Sequence, residues 1–71
     1  MAIKNYLTKE EQRKLRHLIA RFEQTLHSNV EVVSAEAIEN GQRKVIAYLK
    51  CWKYAYIFQG DGIVKSWRVT T

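Results

Sequence analysis

Residues 48–58 read YLKCWKYAYIF, and this stretch holds five of the chain's eight aromatic side chains. Tyr48, Trp52, Tyr54, Tyr56 and Phe58 all stand at even positions, and Lys50 shares their parity. Alternate residues of an extended strand share a face. One long strand here would present a row of rings and an ammonium on one side, and Leu49, Cys51, Ala55 and Ile57 on the other. Burying both rows requires a partner on each side of the sheet. This aromatic row is the feature of the sequence that points to a function.

Upstream, Asn40-Gly41 signals a hairpin, because a type I′ turn needs positive φ at both central residues. With those two as the loop, Glu39 faces Gln42. Val30, Val32 and Ser34 then oppose Cys51, Leu49 and Ala47 on the face assigned to the core. Glu31, Val33 and Ala35 oppose Lys50, Tyr48 and Ile46 on the aromatic face. Downstream, Gly60-Asp61-Gly62 marks a second hairpin. A loop of Asp61 and Gly62 sets Trp67 opposite Tyr56 on the aromatic face. A three-residue loop sets it opposite Ala55 on the core face, and the sequence is compatible with both. Between Lys50 and Lys53 there is no Gly, Pro, Asn or Asp to make a turn. The expectation is therefore one long bent strand over 42–59, with a four-stranded meander as the alternative.

Before residue 28 the periodicity is helical. Thr8-Lys9-Glu10-Glu11 is a capping box, in which the Thr8 hydroxyl accepts from the Glu11 amide and the Glu11 carboxylate from the Thr8 amide. Leu15, Leu18, Ile19, Phe22 and Leu26 then recur at three- and four-residue spacing as one apolar stripe. Arg13, His17, Ala20 and Gln24 lie opposite, flanked by Lys14, Arg16 and Arg21. His27-Ser28-Asn29 is the expected exit, since Asn tolerates the left-handed conformation. The predicted fold is a single α+β domain over residues 1–71. A helix over about 8–27 packs on an antiparallel sheet of three or four strands over about 30–70. Its stripe should meet Val30, Val32, Val45, Ala47, Leu49 and Ile57.

A chain of 71 residues buries only about 60% of its unfolded surface. Its one cysteine, Cys51, excludes an internal disulfide, and a thiol in an apolar strand suggests packing in a reducing compartment. Residues 1–7, MAIKNYL, have no long apolar core, so no secretory leader is expected, and the location expected is cytoplasmic. Net charge is +5, which favours acidic or polyanionic partners and also keeps a small protein soluble.

No catalytic, metal or cofactor site is expected. His17 and His27 lie ten residues apart on the predicted helix and point about 80° apart. Gly60-Asp61-Gly62 precedes a strand rather than a helix and is no phosphate loop. The leading expectation is a non-enzymatic protein-binding domain, an adaptor or inhibitor, that self-associates as a homodimer through Tyr48, Lys50, Trp52, Tyr54, Tyr56 and Phe58. Rings of these types enrich interface centres. The alternative is a single-stranded nucleic-acid-binding protein that stacks bases on the same residues. Lys50, Lys44, Lys65 or Arg68 would then hold phosphates, and Arg13, Arg16 and Arg21 would form an auxiliary basic grip. A third reading makes the rings core, covered by an N-terminal arm that carries Tyr6.

Overall fold

The computed structural model describes residues 8–70. It is an α+β fold with one N-terminal helix on a four-stranded antiparallel sheet. Helix α1 (Lys9–Glu23) opens on the capping box at Thr8 and Glu11. The strands are β1 (Val30–Ala37), β2 (Gln42–Leu49), β3 (Trp52–Gln59) and β4 (Gly62–Arg68), each paired with the next in chain order. The expectations for residues 1–7, including the arm with Tyr6, lie outside the described residues.

The helix ends four residues earlier than its periodicity predicts. Gln24, rather than Asn29, adopts the left-handed conformation, with φ of 56°. The Thr25 amide donates to the Ala20 carbonyl at 2.9 Å and the Gln24 amide to Arg21 at 3.2 Å. This is a Schellman closure, which satisfies the last carbonyls and turns the chain away. His27–Asn29 then forms one 3₁₀ turn leading into β1.

The helix is also rolled relative to its apolar stripe. Leu15, Ile19 and Ala20 are buried, although Ala20 was expected on the polar side. At about 100° per residue, Glu23 lies on the same side of Ile19 as Ala20. That roll brings Glu23 to Tyr56, whose hydroxyl donates to Glu23 Oε2 at 2.8 Å. Leu18 packs at the core margin. Phe22 stays 47% exposed and Leu26, beyond the helix end, 70% exposed.

The first hairpin contains Asn40 and Gly41 at φ of 63° and 72°, as their dipeptide signal requires. Its register differs from the expected one. The Ile38 amide, not that of Glu39, donates to the Gln42 carbonyl at 2.9 Å. This moves the pairing by one residue, giving Ala35↔Val45 and Ser34↔Ile46. A bulge at Val33 moves it by one more, giving Val32↔Ala47 and Val30↔Leu49. Ala35 consequently replaces Ser34 in the core.

The long bent strand is not formed. Lys50 and Cys51 make a two-residue turn, with Leu49 paired to Trp52 and Lys50 at φ of 58°. The Lys50 amide donates to the Asn29 carbonyl at 3.2 Å, which ties this turn to the entry of β1. Because Leu49 pairs with Trp52, the core face changes parity across the turn. Val45 and Ala47 of β2 share that face with Tyr54, Tyr56 and Phe58 of β3. Cys51 is exposed rather than packed in a strand. An L-residue pays roughly 1–2 kcal/mol in the left-handed region, and glycine does not. Lys50→Gly is therefore expected to raise the unfolding free energy, and with it the urea midpoint, by up to about 1 kcal/mol once the larger unfolded-state entropy of glycine is subtracted. A lowered midpoint in urea would place the turn elsewhere.

The last hairpin turns at Gly60 and Asp61, with Gly60 at φ of 62° and Gln59 paired to Gly62. A bulge beyond Phe58 then sets Trp67 opposite Ala55. This is the pairing of the three-residue-loop alternative, but it falls on the outer face, because the parity of β3 has already changed.

Candidate functional site: the outer face of the sheet

The register builds three rows across the side of the sheet opposite α1. Ser34, Ile46, Ala55 and Trp67 form the middle row. Glu36, Lys44, Ile57 and Lys65 form the row towards the hairpin at Asn40. Glu31, Tyr48 and Lys53 form the third row, and the Val69 amide extends it by donating to the Lys53 carbonyl at 2.8 Å. Among the described residues no helix or strand covers this face.

Trp67 dominates it. The indole remains 39% exposed, with Lys44 Nζ and Lys65 Nζ each 5.7 Å from its ring. Both ammoniums fall within the reach of cation–π attraction. Ala55, paired with Trp67, and Ile57, paired with Lys65, are both buried on this face. Ile57 was expected under the helix; its register places it on the opposite side of the sheet. Tyr48, 38% exposed, stands one row further along β2, beside Lys53.

The charges of this face are unevenly placed. Lys44, Lys53 and Lys65 lie on β2, β3 and β4, whereas Glu31 and Glu36 are confined to β1. The ion pairs among the described residues, Lys14–Asp61 at 3.1 Å and Arg43–Glu11 at 3.9 Å, are both at the N-terminal end of the helix. None of the three lysines forms an ion pair among the described residues, although Glu36 stands opposite Lys44 across the β1–β2 ladder.

The six aromatic-row residues do not form one surface. Tyr56 and Phe58 are fully buried beneath α1, with Phe22 edge-on to Tyr56 at 6.2 Å. Burial first, and then the hydrogen bond to Glu23, raise the Tyr56 phenol well above its ordinary pKa. Tyr54 is half-buried on the same inner side, 6.3 Å from Tyr56. Trp52 is 51% exposed and lies under the Arg68 guanidinium, 4.4 Å from its ring. Lys50 sits in the turn, and of the six only Tyr48 joins the outer face. Trp67 entered the sequence reading only through the choice of second loop. Its role depends on a parity change at Lys50-Cys51 that no turn residue announces.

The auxiliary arginines are not continuous with this surface. Arg13 and Arg21 are exposed on the helix, on the other side of the sheet. Arg16 is half-buried, and its Nε has no hydrogen-bond partner among the described residues. The two histidines do meet, contrary to the helical projection. Because the chain reverses at Gln24, the His17 and His27 rings lie 4.5 Å apart. No group of three or more His, Cys, Asp and Glu side chains is assembled among the described residues. No described helix is long and apolar enough to cross a membrane.

No family model, no curated protein and no solved structure matches this chain.

Proposed function

We propose that the chain is a small non-enzymatic binding domain whose anionic partner docks on the outer face of the sheet. The observation that carries this reading is Trp67 held between Lys44 and Lys65 on a face that no described element covers. An exposed ring with two ammoniums over it offers apolar contact and long-range attraction together. A net charge of +5 adds to that attraction. A reducing, cytoplasmic setting for Cys51 belongs to the same reading.

The test separates this face from net charge alone. Retention on a heparin matrix would be compared for the wild type and two triple variants of equal charge. Lys44→Gln/Lys53→Gln/Lys65→Gln should elute at clearly lower salt than the wild type. Lys9→Gln/Arg13→Gln/Arg21→Gln, on the helix, should elute closer to it. Equal loss in both would reduce the effect to overall charge and remove the site.

A second reading, self-association, is favoured by one observation. The face presents apolar groups at Ile46, Tyr48 and Trp67, with an acidic border at Glu31 and Glu36 beside its lysines. Light scattering across a concentration series decides it, and a strict monomer at the highest concentration eliminates the homodimer.

A further inference from the structure

Resting on that reading, we infer that the anionic partner is single-stranded nucleic acid, stacked at two stations on the outer face, Trp67 and Tyr48. The two rings belong to strands separated by β3 and to adjacent rows. Two strand spacings and two residues of rise set their backbones roughly 12 Å apart. A strand within a duplex advances about 3.4 Å per nucleotide and turns its base faces into its own stack. Rings fixed this far apart on a sheet cannot enter that stack. An unpaired strand can splay a base onto each ring, and such stacking is tolerant of sequence because every base has a π-face.

The surroundings of each ring fit this use. Lys44 Nζ and Lys65 Nζ lie over the Trp67 ring, each 5.7 Å from its centroid; a stacked base would displace an ammonium from the ring to its flanking phosphate. Tyr48 stands between two hollows. One, of about 210 Å³, carries Lys50 and, at its β1 edge, Glu31; the other, of about 320 Å³, carries Lys53 and Trp52. Each hollow thus combines an aromatic wall with an ammonium. Lys53 pairs directly with Tyr48 and lies between the two stations. Glu31 and Glu36 border the track along β1 and repel a phosphate backbone from that side, which keeps the path on β2, β3 and β4. An acidic protein or a sulfated sugar would also be served by the lysines, and the dependence of binding on each ring separates the single strand from heparin.

The test is a fluorescence titration of the full chain at low salt. The probes are an oligothymidine of roughly 12 nucleotides, within the range of single-fold site sizes, a duplex of equal length, and heparin. Each probe carries a fluorescent label whose anisotropy reports binding, so that variants lacking Trp67 are read in the same way as the wild type. The single strand should bind at least tenfold more tightly than the duplex. Trp67→Ala and Tyr48→Ala should each weaken single-strand binding roughly 5- to 150-fold and leave heparin binding within about twofold. Trp67→Phe, which keeps a stacking ring, should retain most of the affinity and guards against a misfolded alanine variant. Equal binding of all three probes, insensitive to both rings, would overturn this inference and leave anionic docking standing. Failure to bind any probe would overturn the docking reading as well.

Discussion

Ile19→Ala is expected to lower the unfolding free energy by about 2–5 kcal/mol, whereas Leu26→Ala should change it by less than about 0.5 kcal/mol. Both residues belong to the same apolar stripe in the sequence. Ile19 is fully buried between the helix and the sheet, and its truncation leaves a cavity among side chains that cannot collapse into it. Leu26 lies past the Schellman closure and faces solvent. For 71 residues the total stability is roughly 4–10 kcal/mol, so the first substitution removes a large part of it. Phe22→Ala should fall between the two, because its ring keeps only the edge contact with Tyr56. Urea denaturation of the three variants checks the order. Equal losses at positions 19 and 26 would mean that the helix continues beyond Glu23.

The second large effect is alkaline. Tyr56 is fully buried, and its hydroxyl donates to Glu23 Oε2. Burial and the neighbouring carboxylate hold its pKa above the ordinary 10.0. The folded state therefore keeps a proton that the unfolded chain releases above pH 10. Below pH 10 both states are protonated and the contribution of Tyr56 is fully present. Above it, stability falls by up to roughly 1.4 kcal/mol per pH unit from this group. Tyr56→Phe should cost about 1 kcal/mol at neutral pH, through the lost hydrogen bond. It should also remove this part of the alkaline decline, so that the two stability curves converge as pH rises from 9 to 11. Lysines titrate equally in both proteins and drop out of the difference. Parallel curves over that range would show that the phenol is not buried with its proton.

Much of the fold was legible because it rests on local chemistry. Thr8 and Glu11 cap the helix through groups three residues apart. Asn40-Gly41 supplies two left-handed residues in succession. Leu15 and Ile19 lie one turn apart on one helix face. Val30, Val32, Val45 and Ala47 were correctly assigned to the helix-facing layer. For the cap, the turn and the helix face the decisive interaction lies within a few residues, so spacing alone expresses it; the strand residues kept their face because the turn shift and the Val33 bulge each moved the register by one.

The candidate site was not legible in the same way. A strand's parity fixes which residues share a face, but which face is covered depends on every turn and bulge before it. Lys50 adopts a left-handed turn without being Gly or Asn, and that one event sends Tyr54, Tyr56 and Phe58 inward and leaves Tyr48 outward. The Val33 bulge exchanges Ser34 for Ala35 in the core. The pull of Glu23 on the Tyr56 hydroxyl accompanies a roll of the helix that strands Phe22 at the margin. The sequence by itself determined the capped helix, the two glycine-marked hairpins and the excess of positive charge. Only the tertiary structure decided that Trp67 lies with Lys44 and Lys65 on the open face. Those three residues come from two strands that are not neighbours, and they meet only once register and parity are fixed across the whole sheet.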